Sequence, residues 1–451
     1  MNEHANALFF VDCGNNRYSI AALTAAIEQD ARLRDLSISF PTYRAGRQAH
    51  PAKRRAFCDE LLQLTARCAK SVLAFSFATA NVIEMGALVA ELRGAFRQRG
   101  RERMLLVAGG PHPSGDPEGT LRLGFDAVVV GEGEATFPHL LHRYVHDQPY
   151  GDLPGVAALD EGGAYRFAGR AAIVDLSEFP PFAFGHRRFC PIEISRGCPN
   201  GCLYCQTPFF MGGRMRHRSL ENIVEYTERA KRINLKVLRF ISPNSLAYGS
   251  TDGHSVNLAA FEALLKSVSE IYGRPNVFVG SFPSEVRPEH VSPETLGLIR
   301  RFCANENLVI GAQSGSETML RRIHRGHGVG EIIRAVELTI AAGFVAHVDV
   351  MFGLPGETEQ DQDATIDLME RLVKMGARIH GHAFMPLVGT PLANAAPGVV
   401  DAKTRRFMDM LQGNRFAHGR WRQQEKTAKA AADFLGGRGA ACQECALNSQ
   451  S

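Results

Sequence analysis

The sequence predicts an α/β protein: two successive parallel sheets with flanking helices, then a helical tail. Three observations lead there. Short β-rich apolar runs alternate with helical stretches over residues 7–147, an irregular break follows at 151–190, and the alternation resumes over 191–397. Strand and helix in alternation imply parallel sheets, because each helix carries the chain back to the same sheet end. Composition agrees: of 451 residues, 45% are hydrophobic and 22% charged, which excludes a disordered, collagenous or coiled-coil chain. Lys plus Arg is 51 against 47 for Asp plus Glu. So thin an excess argues against a dedicated nucleic-acid binder, whose affinity would come from phosphate neutralisation.

In the first section, residues 1–150, the candidate strands are 8–11, 36–40, 72–77, 105–108 and 127–130. Between them, residues 83–97 place Ile83, Leu88, Leu92 and Phe96 at helical spacing. Residues 71–90 are long and largely apolar, but Ser76, Asn81 and Glu84 interrupt them. They read as a buried strand running into a helix, not a membrane span. The first ten residues include an acidic one and no basic region before the apolar run, so no secretory signal is expected and the cytoplasm is.

Three small-residue loops follow strands: Asp12-Cys13-Gly14-Asn15-Asn16, Gly109-Gly110-Pro111-His112-Pro113 and Gly131-Glu132-Gly133-Glu134. In open parallel sheets, ligands sit at such carboxyl ends. Residues 151–190, with Gly162-Gly163 and Phe179-Pro180-Pro181-Phe182, read as a linker. Over 191–400 the candidate strands are 192–195, 237–241, 277–280, 308–311, 346–351 and 381–384. Six β/α units suit an incomplete barrel. Residues 401–451 read as a helical extension with a basic helical stretch at 415–429, ending on Cys442-Gln443-Glu444-Cys445.

The ten cysteines are expected to be reduced in such a compartment. Arg196-Gly197-Cys198-Pro199-Asn200-Gly201-Cys202-Leu203-Tyr204-Cys205 sets three of them at C-x₃-C-x₂-C, directly after the first strand of the second section. Three thiolates on one loop can hold three irons of a cubane cluster and leave the fourth open. Gly197, Pro199 and Gly201 permit the tight turns that wrapping needs. Zinc, with a fourth ligand from Cys190 or the Cys442/Cys445 pair, and plain thiols are the other readings. Cys442/Cys445 also suits a redox pair, while Cys13, Cys58, Cys68, Cys190 and Cys303 show no metal spacing.

With this loop the chain resembles the radical S-adenosylmethionine (SAM) superfamily. The resemblance implies a 4Fe–4S cluster on Cys198, Cys202 and Cys205, SAM chelated to the open iron, and reductive cleavage to a 5′-deoxyadenosyl radical. It implies Tyr204 packed beside the cluster loop. Later segments fit in order. Gly311-Ala312-Gln313-Ser314-Gly315-Ser316-Glu317 resembles the family's fourth-strand motif, which implies Gln313 and Ser314 at the SAM ribose. Val350-Met351-Phe352-Gly353-Leu354-Pro355 resembles the fifth-strand motif that lines the adenine, with Phe352 there; His382-Ala383-Phe384-Met385-Pro386-Leu387 resembles the last. The second strand departs from the usual acidic pair: Ser242 and Asn244 supply hydrogen bonds without charge. Ser281, Ser284 and Arg287 are further SAM or substrate contacts by position.

The first section resembles the flavodoxin-like, doubly wound cobalamin-binding domain that precedes the barrel in one large radical SAM class. Val107-Ala108-Gly109-Gly110-Pro111-His112 and the segment from Gly124 to Glu134 carry the likeness. It implies cobalamin contacts at Asp12, Asn15, Arg17, Ser76, Gly109, Gly110, His112, Gly131, Glu132, Gly133 and Glu134. The family's D-x-H-x-x-G is replaced by Asp12-Cys13-Gly14-Asn15-Asn16-Arg17, so no histidine ligates cobalt from this loop. Taken together, the resemblances imply a cobalamin-dependent C-methyltransferase acting on a poorly nucleophilic carbon of a small molecule or peptide. They imply an electron donor such as flavodoxin or ferredoxin. A non-methylating rearrangement, cyclisation or oxidation is the alternative, and a vestigial cobalamin domain serving as a scaffold is a further one. A methylthiotransferase fits less well, since neither that group's N-terminal cluster cysteines nor its RNA-binding tail is seen.

Overall fold

A computed structural model describes residues 5–44, 51–98 and 104–448, with side chains up to residue 437. The chain divides into two compact units, residues 1–190 and 191–451.

The first unit is a seven-stranded sheet. Its strands are β1 (Ala7–Phe10), β2 (Ser37–Ser39), β3 (Ser71–Ser76), β4 (Met104–Gly109), β5 (Ala127–Val129), β6 (Val156–Leu159) and β7 (Tyr165–Phe167). They lie in the order β2-β1-β3-β4-β5-β6-β7. The first five pair in parallel, in the flavodoxin-like order 2-1-3-4-5. Helices Arg17–Gln29, Val82–Gln98 and Thr136–Val145 return the chain between strands. Sheets covered on both faces need continuous apolar strands. So β1 is wholly buried, and Leu8, Phe10, Val72, Leu105 and Val107 meet Ile20, Ile27 and Phe137 in one core.

The linker expected at 151–190 is only partly irregular. Its β6 and β7 form an antiparallel hairpin that extends the sheet beyond β5. The turn is the Gly162-Gly163 pair that the sequence offered as a break, with Gly163 at φ 78°.

In the second unit β8 (Ile192–Glu193), β11 (Leu238–Ile241) and β12 (Val277–Phe278) pair in parallel. A parallel bridge from Val286 to Ile310 joins them to β13 (Asn307–Gln313), β14 (Val345–Phe352), β15 (Arg378–Ala383) and β16 (Ala417–His418). The result is a curved, open parallel sheet, one short strand longer than the six units expected. Two further strands, β9 (Ser195–Arg196) and β10 (Arg216–His217), form a small antiparallel pair. On β14 burial alternates strictly. Ala346, Val348, Val350 and Phe352 are buried on one face, leaving His347, Asp349 and Met351 on the other.

The extension consists of helices Ala402–Gly413 and Trp421–Asn448 with β16 between them. The expected basic helix at 415–429 is thus interrupted: Arg415 has φ 63° and helix begins only at Trp421. Arg422 of that stretch pairs with Asp409, so part of its basic charge is neutralised. Cys442 and Cys445 lie on the last helix, outside the described side chains. Trp421 is fully buried, and it packs where Gly381 of β15 leaves room: a Cβ there would stand 3.2 Å from the indole. No helix among the described residues is long and apolar enough to cross a membrane.

Two consequences are testable. Trp421→Ala should lower the unfolding free energy of the second unit by about 3–5 kcal/mol, with Trp421→Phe costing clearly less. Urea denaturation followed by circular dichroism measures it, and equal midpoints for all three proteins would refute the anchoring role. His418 stacks on His380 at 4.4 Å, and burial plus its histidine neighbours push its pKa from 6.5 down to about 4. Between these values the unfolded chain binds a proton that folded His418 refuses, so stability falls as pH drops. His418→Gln should flatten that slope between pH 6.5 and 4; a slope identical to the parent's would contradict it.

Candidate active site

The loop that carries the three cysteines has no ladder of its own, so its shape comes from neighbours. Gly197, at φ 83°, lies so close to the chain that a Cβ would stand 2.2 Å from the Arg214 carbonyl oxygen. No other residue fits there. Cys198 N donates to Gly212 O at 3.1 Å, Leu203 N to Ile323 O at 3.1 Å, and Cys205 N to Cys202 O at 3.0 Å. Arg196 is pinned to Glu193 at 2.6 Å. These ties present Cys198, Cys202 and Cys205 on one wall of a cavity of about 360 Å³.

Each thiol has a donor beside it. Asn200 Nδ2 donates to Cys198 Sγ at 3.4 Å. Burial raises the Cys205 pKa, while hydrogen bonds from the Thr207 side chain and backbone pull it down. Cys202 meets two guanidiniums: Arg287 Nη1 at 3.9 Å and Arg325 Nη1 at 3.8 Å. Among the described residues, the trio whose ligand atoms all lie within 4.8 Å of one another is Asp349, His380 and His382; the three thiols are not such a trio. One tetrahedral zinc needs its sulfurs that close, at about 2.3 Å from the metal. The wider spread suits a multi-iron cluster.

Asp349 Oδ1 accepts from His380 Nδ1 at 2.9 Å and lies 3.8 Å from His382 Nε2. Gln424 fixes the second ring: its Oε1 accepts from Ala383 N at 3.1 Å, which turns its amide N–H toward His382 Nδ1 at 3.3 Å. The trio is a carboxylate that accepts from one imidazole and has a second beside it, beyond hydrogen-bond distance. Burial would raise the Asp349 pKa, but the two imidazoles bring it below the ordinary carboxylate range.

Of the residues expected at SAM, Tyr204, Ser242 and Gln313 line the cavity. Gln313 does so through a bulge, at φ 78°, where the β13–β14 register shifts. The other four lie behind the wall. Asn244 is fully buried, bonded to His290 at 2.6 Å. Ser284 Oγ donates to Phe240 O and accepts from Ser242 N. Ser314, also fully buried, meets Thr365 at 3.3 Å. Phe352 packs edge-on against Trp421 at 6.4 Å, so its neighbour Met351 takes the cavity position. Sequence reasoning missed Glu285, Arg325, Asp349 and His382, which all line the cavity. A lone charge inside an apolar alternation, as in Val348-Asp349-Val350, was the available signal. Ser281 bonds Arg239 at 3.2 Å.

In the first unit the three loops follow β1, β4 and β5. Gly109 and Gly131 open on free space: a Cβ at Gly131 would meet nothing within 4 Å, and one at Gly109 only a carbonyl at 3.7 Å. Gly110, at φ 90°, sits against Ser76, whose Oγ a Cβ would approach to 2.6 Å. Asn15 is exposed and bonded to Asn81, and Arg17 is exposed at a helix start. Asp12 is turned inward, bonded to Gly14 N at 2.8 Å and paired with Arg44 and Arg188. His112 is fully buried, 3.2 Å from Thr79 Oγ1 and stacked on Phe77. Glu132 accepts from Val174 N at 2.9 Å and, like Glu134, is buried. His112, Glu132 and Glu134 thus build the loops and do not stand on their surface. Gly133 faces the core, where a Cβ would stand 2.9 Å from Leu23.

Residues 192–369 match the radical SAM superfamily, and residues 41–141 match the B12 binding domain. An uncharacterized protein of Methanopyrus kandleri is 26% identical over 341 residues, covering 66% of this chain and 64% of that one. The threonylcarbamoyladenosine tRNA methylthiotransferase of Thermotoga maritima is 28% identical over 236 residues, 51% of each. The chain therefore spans between half and two-thirds of these relatives' length. Two solved structures share the fold at 16% identity and a TM-score of 0.63. The cobalamin-dependent SAM radical enzyme OxsB covers 82% of this chain, with 52% of OxsB matched. The radical SAM methyltransferase TsrM of Kitasatospora setae covers 86%, with 74% of TsrM matched. The chain therefore carries a B12 binding domain followed by a radical SAM domain, whose cofactors are cobalamin and a 4Fe–4S cluster with SAM.

Proposed function

We propose that this enzyme is a C-methyltransferase that acts on a poorly nucleophilic carbon. The observation that carries the reading is the pairing, on one chain, of a three-thiol cavity with a glycine-edged shelf at the ends of β3, β4 and β5. When bound, the cluster and SAM supply a hydrogen-abstracting radical, and cobalamin supplies a transferable methyl group. TsrM, which shares the fold, is named a methyltransferase.

The chain's own residues would do the holding. Cys198, Cys202 and Cys205 would ligate three irons. Gln313 and Asp349, neighbours on β13 and β14, would take the SAM ribose: an amide and a carboxylate suit a diol. Met351 and Tyr204 would shield the site from water; Tyr204 packs with Met319, Ile323, Leu354 and Phe384. On the shelf, Ser76, Gly109, Gly110 and Gly131 would admit the cobalamin, because bare backbone lets a bulky ligand approach closely. Asn15 and Arg17 flank the β1 loop. The methylthiotransferase relatives suggest sulfur insertion instead. In the first unit, however, Cys13, Cys58, Cys68 and Cys190 show no metal-ligand spacing in the sequence.

Three outcomes are expected. Alanine at Cys198, Cys202 and Cys205 should abolish 5′-deoxyadenosine formation from SAM in anaerobically reconstituted protein; intact cleavage would refute the cluster assignment. Gly109→Leu fills the shelf without a clash, so it should weaken cobalamin binding about tenfold or more, near 1.4 kcal/mol, with thermal stability unchanged. Optical titration with hydroxocobalamin checks this, and unaltered affinity would move the ligand off the shelf. With methyl-labelled SAM and a candidate substrate taken from the products of neighbouring genes, mass spectrometry should find the label on product carbon. Turnover without label, with deoxyadenosine accumulating in step, would establish a rearrangement in its place.

A further inference from the structure

Arg287 and Arg325 are almost fully buried, each 3% exposed, and both direct Nη1 at the same sulfur. Most of their remaining donors are spoken for, Arg325 Nε being a buried donor without a partner among the described residues. Arg325 Nη2 donates to Gly311 O at 2.5 Å and lies 3.7 Å from Glu285. Arg287 Nε donates to Glu289 at 2.5 Å, and its Nη2 donates to the Arg325 carbonyl. Glu289 in turn accepts from His327 at 2.9 Å. The carboxylates thus sit behind the guanidiniums, and the positive ends face Cys202. Burying two cations costs several kcal/mol each, and a carboxylate behind each one offsets it, so what reaches Cys202 is the positive end of two ion pairs. The neighbouring thiols get neutral donors only, Asn200 for Cys198 and Thr207 for Cys205.

We propose that Arg287 and Arg325 set the reduction potential of the cluster through Cys202, holding it within reach of the electron donor. The inference rests on the reading that the three thiols ligate a 4Fe–4S cluster. Three thiolates on a cube of charge +2 leave a net −1, and one-electron reduction makes it −2. In a buried site the second negative charge is disfavoured by desolvation. Two N–H···S hydrogen bonds from cations favour the more negative state, and hydrogen bonds to sulfur raise cluster potentials. Both arginines are positioning residues in this account: they act through Cys202, not on substrate.

The experiment is a redox titration of the reconstituted full-length protein, monitored by electron paramagnetic resonance of the reduced cluster. Arg287→Met with Glu289→Gln, and Arg325→Met with Glu285→Gln, remove each cation together with its carboxylate, so no charge is stranded. Each pair should cut the reduced-to-oxidised ratio at the parent midpoint about tenfold, equivalent to about 59 mV for one electron. Arg287→Lys and Arg325→Lys should restore most of that ratio, and Asn200→Ala should change it far less. Variants that keep four irons and four sulfides per chain with an unmoved midpoint would overturn the proposal. Should no such variant assemble a cluster, parent protein carrying ¹⁵N-guanidino arginine decides: couplings from two arginines on the reduced cluster are expected, and their absence would overturn it. A parent protein that binds no cluster would sink the cluster reading itself, a distinguishable failure.

Discussion

A nine-residue loop has to hold three sulfurs on one cavity wall without hydrogen bonds of its own regular structure, and the second unit is arranged around that demand. The loop borrows its shape from two other segments: residues 212–214 before β10, where Gly212 accepts from Cys198 N and the Arg214 carbonyl is one that only a glycine can approach, and Ile323 after β13. The loop is therefore right only when the curved sheet has closed far enough to bring those segments together. That ties the chemistry to the fold: a distorted barrel would keep its cysteines and lose their arrangement.

The wall opposite obeys a simpler constraint, the period of two along a strand. On β14 the even-numbered residues belong to the core, so Asp349 and Met351 face the cavity whatever the chemistry requires. Polar groups placed there need partners, and all in this network but Arg325 Nε have one. Asp349 takes the His380 N–H and has His382 3.8 Å away, Glu285 is matched by Arg325, and Arg287 by Glu289. Burial pushes the Glu285 pKa up while the guanidinium opposes it, which is the balance a paired interior charge shows. Nothing in this network is generous: removing one member would strand its partner in a dry site, at a cost larger than the bond itself is worth.

Much of this was legible in the sequence, for reasons that also mark where reading stops. Buried parallel strands are continuous apolar runs, and those of β1, β3 and β4 are plain. The β6–β7 hairpin was not, because β7 is short and half-exposed and its glycine turn looks like any linker. The cysteines announced themselves by spacing. The strand-end residues divide between the cavity and its supports for a single physical reason: a polar side chain at a strand end can face the cavity or the loop that supports it. Ser242 and Gln313 face inward, while Ser284, Asn244 and Ser314 brace the backbone. Phe352 lies on the buried face, one register step from the cavity-lining Met351. Arg325 and Glu285 escaped notice because single charges near turns read as surface, and only packing shows that they are interior.

The central claim is that this loop holds a cluster by three sulfurs and leaves one iron for SAM. Mössbauer spectroscopy of protein reconstituted with ⁵⁷Fe tests it most directly, recorded with and without SAM. The account predicts four irons per chain, of which one quarter of the absorption shifts when SAM is added and three quarters stay in place. Four irons that respond alike, or that do not respond at all, would contradict it.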